Sequence, residues 1–278
     1  MQENFIVGEN RYKQKIMLNP HDLVGKGILQ DGLYDKTGLY FIEKILAKLQ
    51  APVVFDIGAN IGNHALRMTE KSKKVYLFEP QAKIAAHLRT TMSLNHITNW
   101  HICNYGLSDE EQSLTLYQNL DSNNGETSFV ANLKGKNFVI EEAAVFVGDD
   151  IVHQYALDHL DFIKIDVEGF EAKVIAGLKH SIMKFRPIIF MEWDKEVTKE
   201  QFQDYELFET VFSDYIIKAI TRNPNEMSLA QKIRGTIRQL FQKNRGKRRK
   251  IIGEFNREND YRHIVLIPRE KAHILAGL

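Results

Sequence analysis

The chain has 278 residues, 44% hydrophobic and 26% charged, which suits a globular protein able to bury most of its unfolded surface. Its apolar content excludes disorder, while 17 glycines, 6 prolines and a single cysteine exclude collagen-like and disulfide-scaffold chains. The net charge of +1 hides an asymmetry: nine bases and no acid lie between Met227 and Gly253, and removing those nine charges leaves −8 on the remainder.

A broadly basic surface would be needed for a nucleic-acid footprint over the whole protein, so nucleic acid is not an expected partner, and any polyanion contact belongs to that one segment. Cys103 has no partner for an internal bridge, so nothing asks for an oxidising compartment. The opening residues carry no apolar signal region, and nowhere do eighteen uncharged apolar residues run together. The expectation is an unexported, non-spanning, cytoplasmic chain.

In chain order, residues before Leu49 are mixed, with turn signals at Asn19-Pro20 and Asp31-Gly32 and a helical pattern in Tyr40, Phe41, Ile45, Leu46 and Leu49. Alternating units follow. Strands are expected at 53–57, 74–78, 101–105, 162–167 and 188–193, with helices over 63–71, 81–94, 169–183 and 199–212 and late strands at 215–220 and 264–267. Strands alternating with helices imply crossover connections and a mostly parallel sheet covered on both faces, hence an α/β fold. Residues 1–50 form an N-terminal helical cap. The main domain covers 51–278, interrupted by a β-hairpin insertion at 108–150 and a basic insertion at 221–262.

The strongest local signal is Val-Val-Phe-Asp-Ile-Gly-Ala-Asn-Ile-Gly-Asn-His over 53–64, a buried strand running through a glycine turn into a helix. Doubly wound sheets receive nucleoside ligands at such a carboxyl edge. Gly58 and Gly62 would let the backbone approach a ligand. The spacing G-x-x-x-G is not the G-x-G-x-x-G that seats a pyrophosphate, and Asp56 would repel a diphosphate but suit an ammonium. Seventeen residues after Gly62, Glu79 stands where a carboxylate accepts both ribose hydroxyls. Together these favour a cationic adenosine ligand, S-adenosylmethionine, over a tight turn with a surface Glu.

The second constellation is Asp-Phe-Ile-Lys-Ile-Asp-Val-Glu-Gly-Phe-Glu over 161–171. Alternation puts Asp166 and Glu168 at the carboxyl end of the fourth strand, with Glu171 on the same face if a helix starts at Gly169. Three acids this close suit a general base or a divalent cation such as magnesium, although Glu168 and Glu171 also fit a helix N-terminus electrostatically.

The strings FDIGANIGNHAL, LFEP and DFIKIDVEGFEAKVIAGL resemble the FkbM-type family of S-adenosylmethionine-dependent methyltransferases. The similarity covers roughly residues 50–195 and extends loosely to Gly32-Leu33-Tyr34 and to the last strand before Pro268, but not to 221–262. The resemblance implies a Rossmann-like class I methyltransferase fold, with a seven-stranded sheet whose last strand is antiparallel. It also implies O-methylation of hydroxyls on sugars of glycans and glycolipids, or on related polyhydroxylated metabolites. By position, Asp56, Gly58, Asn60 and Gly62 would line the methionine end, Glu79 the ribose, and Asp109 the adenine amino group.

Other features are less specific. His64 would face the methyl donor or the acceptor, or simply be satisfied at a helix N-terminus. Glu192 and Asp194 flank Trp193 at the fifth strand's end and would hold acceptor hydroxyls unless they are merely solvated. Residues 123–128 form a polar loop of sugar-binding composition, equally an ordinary turn. The other histidines lack zinc-ligand spacing. Apolar residues recur at helical spacing in 229–241 among the bases, giving two readings of 229–250: a lid over the acceptor site, or a basic amphipathic helix on an anionic membrane bearing a lipid-linked acceptor. Two other functions compete with O-methylation: a nucleotide-sugar oxidoreductase of similar fold, and a non-catalytic adaptor for polyanions or membranes.

Overall fold

The computed structural model describes residues 5–119, 127–128, 138–221 and 251–278. The polar loop before Thr127 and the helical pattern proposed for 229–250 lie outside the described residues. Among the described residues, no helix is long and apolar enough to cross a membrane.

The chain opens with an antiparallel hairpin, β1 (Ile6–Glu9) and β2 (Lys15–Leu18), then α1 (Leu23–Asp31) and α2 (Lys36–Leu46). Asp22 caps α1, its carboxylate accepting from Gly25 N at 2.6 Å, and Gly32 ends it at φ +75°. The expected N-terminal cap is therefore helical only in its second half. Ile16 and Leu18 are fully buried in one apolar cluster with Phe41 and Ile42 of α2.

Next come β3 (Val53–Ile57), α3 (Ala65–Thr69), β4 (Lys74–Phe78), α4 (Ala82–Leu94) and β5 (Trp100–Cys103). A side sheet follows, built from β6 (Gly106–Ser108), β7 (Gln112–Asn119), β8 (Thr127–Ser128) and β9 (Phe138–Val147), with β7 antiparallel to β9 as the insertion pattern implies. After α5 (Gly148–Gln154), the main sheet resumes with β10 (Phe162–Ile165) and β11 (Ile188–Trp193). Between them the single helix expected over 169–183 is two, α6 (Glu171–Gly177) and α7 (Lys179–Phe185). The helix expected over 199–212 likewise divides into α8 (Glu196–Asp204) and α9 (Leu207–Thr210). The chain finishes with β12 (Tyr215–Thr221), β13 (Ile251–Glu254) and β14 (Tyr261–Pro268).

The main sheet has the order β13-β12-β14-β11-β10-β3-β4-β5. Strands from β11 to β5 are mutually parallel, while β14 is antiparallel to both its neighbours. The sheet has eight strands where seven were expected, because β13 joins the edge antiparallel to β12, while the last strand, β14, is antiparallel as expected. Its short apolar run, Ile251-Ile252, follows the basic stretch and carries little periodicity, so only pairing reveals it. Alternate strand residues feed two separate cores. Phe55, Ile163 and Ile189 face α6 to α9, whereas Val54, Phe162 and Ile188 face the N-terminal helices and α3–α4.

Candidate active site

The turn after β3 is closed by its own neighbours. Gly58 and Ala59 donate N–H to Phe78 O, each at 3.0 Å, and Asn60 N donates to Glu79 Oε2 at 3.0 Å. Ile61 N donates to Asn60 Oδ1 at 2.7 Å, and Gly62 N to Ala59 O at 3.0 Å. Five successive amides are thus engaged inside the protein. Glu79 also accepts from Gln81 N at 3.0 Å, so one carboxylate ties the turn to the start of α4. Burial pushes its carboxyl up to about 7, against the pull of the two amides.

Gly58 sits at φ +78°, and a Cβ there would lie 1.9 Å from Asp166 O, so the glycine allows close packing of β3 on the β10 exit. Gly62, at φ +97°, faces α4: its Cβ would meet Leu88 Cδ1 at 2.8 Å and Met92 Cε at 2.9 Å. Neither glycine's missing side chain serves a ligand directly, and Gly62 does not border the cleft at all.

Asp56 corrects a second expectation. It is fully buried and does not reach the cleft. Its register partner in β10 is Lys164, whose Nζ lies 3.2 Å from Asp56 Oδ1 in a coulombic contact that lacks hydrogen-bond alignment. Lys164 Nζ also donates to Gly58 O at 2.7 Å and lies 3.5 Å from Asp166 Oδ2. Burial alone would lower the pKa of this ammonium; Asp56 and Asp166 outweigh it and raise it. Lys164 is one of the site residues that the sequence pattern did not single out. Its place in Ile-Lys-Ile was the available signal, because a lysine on a strand buried on both faces needs partners.

The cleft lies beyond the carboxyl ends of β3, β4, β10 and β11, and Gly58, Asn60, Glu79, Asp166, Glu168 and Glu192 all line it. Glu168, at φ +53°, pairs with Lys195 at 2.8 Å. Glu192 stands where the β11–β14 register shifts, between Met191 and Trp193. Burial, then the charges of Asp166, Asp194 and Glu168, push its carboxyl up to about 10, so it is protonated at neutral pH. Asp166, Glu168 and Glu192 each offer an oxygen within 4.8 Å of the others.

The third acid of this group is thus Glu192 and not Glu171. Glu171 is buried beneath the loop, accepting from Val167 N at 3.3 Å and Gly169 N at 3.2 Å, and Thr198 donates its hydroxyl to it. Asp109 is also away from the cleft: Tyr205 donates its hydroxyl to it at 2.6 Å, and Lys173 lies 3.9 Å off. Asp194 is exposed and outside the cleft lining.

The opposite wall comes from the N-terminal segment and β14. His64 lines it, with Nε2 3.1 Å from Asp35 Oδ2. Tyr34, Asp35, Arg262 and His263 complete this wall, and none of the four was singled out as a site residue. Burial works against ionisation of Asp35, but His263 and His64 outweigh it and hold its carboxyl well below the usual carboxylate range.

A doubly wound sheet with an antiparallel strand inside one edge, a turn whose amides from Gly58 to Gly62 are all engaged, and an acidic cleft at the carboxyl edge define a Rossmann-like methyltransferase. Residues 56–240 match the methyltransferase FkbM domain, and the chain belongs to that family. It is 30% identical over 164 residues to the 2-O-methyltransferase NoeI of Sinorhizobium fredii, covering 54% of this chain and 67% of that protein. It is 25% identical over 146 residues to the hexuronic acid methyltransferase AglP of Haloferax volcanii, covering 49% and 54%. A crystal structure of methyltransferase FkbM from Methylobacillus flagellatus overlays with a TM-score of 0.47 at 15% identity, covering 84% of this chain and 46% of that one. The chain therefore spans between about half and two thirds of the length of these relatives.

Proposed function

We propose that the cleft transfers a methyl group from S-adenosylmethionine to a hydroxyl of a sugar, in a glycan, glycolipid or related polyhydroxylated metabolite. The observation that carries this reading is the engagement of all five turn amides, from Gly58 to Gly62, by protein acceptors. A dinucleotide's pyrophosphate depends on such amides, so the oxidoreductase reading lacks its anion cradle. A sulfonium and an ammonium need carboxylates instead, and Glu79, Asp166 and Glu168 border the cleft. The residues present fit the cofactor.

In this reading Glu79 accepts the ribose hydroxyls, Gly58 and Asn60 border the methionine end, and Asp166 holds its ammonium. S-adenosylmethionine supplies the methyl group as an electrophile. Glu168 and Glu192 face the acceptor, Glu192 as a protonated carboxyl able to donate a hydrogen bond. Asp166 already shares the ammonium of Lys164, which suits holding charge and geometry better than shuttling a proton. Positioning two substrates supplies much of the rate. The similarity to NoeI and AglP, a 2-O-methyltransferase and a hexuronic acid methyltransferase, supports a sugar acceptor.

Binding of labelled S-adenosylmethionine but not NAD, followed by transfer to methyl pyranosides, tests the function; NAD binding would sink it. The oxygens of Asp166, Glu168 and Glu192 also fit a divalent ion by donor type. With these acids assigned to the donor and the acceptor, turnover is expected to survive EDTA. Loss of turnover restored by magnesium would instead place the ion on these three acids. Flotation with anionic vesicles separates the two uses of residues 229–250. Salt-sensitive binding lost when Arg248, Arg249 and Lys250 become Glu supports membrane contact, and no binding at low salt supports the lid.

A further inference from the structure

Asp35 is built into the cleft wall at some energetic expense. It is a non-glycine residue at φ +43°, a left-handed conformation that persists where its surroundings enforce it. Its Oδ1 accepts from Gly38 N at 3.1 Å, capping α2. Gly38 itself lies in the first turn of that helix, although glycine is a poor helix former. A Cβ at Gly38 would lie 1.9 Å from Asp35 Oδ2 and 3.1 Å from His263 Nε2, so the glycine keeps the space that the carboxylate occupies.

Asp35 Oδ2 faces two imidazoles. His64 Nε2 lies 3.1 Å away in hydrogen-bond alignment, while His263 Nε2 lies 3.0 Å away off that alignment, its ring packed on Phe190 at 4.8 Å. Arg262 Nε approaches the other oxygen at 3.7 Å. An ionised carboxylate only accepts, so the His64 nitrogen facing it carries the hydrogen and Nδ1 is left as an acceptor.

Resting on the methyl-transfer reading above, we propose that His64 Nδ1 takes the acceptor hydroxyl's proton and that Asp35 is the positioning residue that selects this tautomer. As the acceptor oxygen bonds the methyl carbon, its O–H bond breaks and the proton passes to Nδ1. The electron pair of the methyl–sulfur bond stays on sulfur, so the positive charge leaving the donor reappears on the imidazolium beside Asp35. The proton then returns to water. The groups bearing on His64 are Asp35 ahead of α2, Arg262 and His263 on β14, and across the cleft Asp166 and Glu168 after β10 and Glu192 on β11.

Two measurements on the full chain test this. Long-range ¹⁵N–¹H spectra of the imidazoles should show His64 as the Nε2–H tautomer, a preference lost in Asp35→Asn, which retains a capping oxygen, and in Gly38→Ala, which crowds the carboxylate. An Nδ1–H tautomer in the wild type overturns the proposal. In methyl transfer from labelled S-adenosylmethionine to methyl pyranosides, a hexuronate included, His64→Gln should lose about 10²–10⁴-fold in turnover at unchanged cofactor affinity. External imidazole should restore part of the rate in His64→Gly. Asp35→Asn should lower kcat more than it raises KM and move the acid limb of the pH profile to lower pH, because the imidazolium loses its counter-charge. Turnover of His64→Gln within threefold of wild type, or an unmoved acid limb, overturns the proposal. If the wild type methylates no pyranoside, the sugar reading fails and the tautomer spectra still decide the Asp35–His64 pair.

Discussion

Glu79 shows how one side chain serves both the fold and the ligand. Its two oxygens take amides from the glycine turn and from the start of α4, yet it still borders the cleft. Because burial raises its carboxyl to about 7, it is ionised above that pH and protonated below it. Cofactor affinity is therefore expected to fall as pH is lowered from about 8 to about 6, and Glu79→Gln should flatten that dependence. Glu79→Ala should weaken S-adenosylmethionine binding by roughly 1–3 kcal/mol, the usual cost of removing a charged hydrogen-bond partner. Calorimetry reads both effects, and unchanged affinity in Glu79→Ala would remove the residue from the cofactor site.

At the scale of elements, β3 and β10 are joined by the buried Asp56–Lys164 pair. Asp56→Ala should cost about 3–5 kcal/mol in urea unfolding, since it removes the nearest counter-charge of a buried ammonium. The double change Asp56→Leu with Lys164→Met should recover much of that stability, while disturbing the turn through the lost bond to Gly58 O. Gly62 belongs to the α4 packing instead. Gly62→Ala should destabilise by about 1–3 kcal/mol through its φ and its contacts with Leu88 and Met92, with cofactor affinity of the folded protein unchanged. A large loss of affinity in that variant would return Gly62 to the ligand.

For the whole molecule, the N-terminal hairpin and helices share a core with the sheet: Ile16, Leu18, Phe41, Leu88 and Val265 lie in one buried cluster. Leu18→Ala is expected to cost about 2–5 kcal/mol and to lower the midpoint of a single unfolding transition. Two transitions, with only the first shifted, would make the N-terminal segment an independent unit. The shared core also has a functional consequence, because it presents Tyr34 and Asp35 to the cleft opposite Asp166 and Glu192.

The alternating apolar runs and the turn residues were enough to place β3, β4, β11 and α4 within a residue or two, and with them the parallel sheet and the cleft at its carboxyl edge. Gly58, Glu79, Asp166 and Glu168 were legible as cleft-lining residues because they sit at strand ends, where local spacing decides exposure, whereas Asn60 came only from the family resemblance. Asp56 and Gly62 belong to the same motif but point elsewhere, and only pairing with Lys164 and packing on α4 show it. Glu171 and Glu192 exchange roles because the loop after β10 folds back over one and the β11 register shift turns the other toward the cleft. The Asp35–His64–His263 contact joins residues up to 228 positions apart, from three elements with no common period. Such a cluster is set by long-range packing, which brings an N-terminal helix cap and an antiparallel strand to one wall, and no window of the sequence contains it.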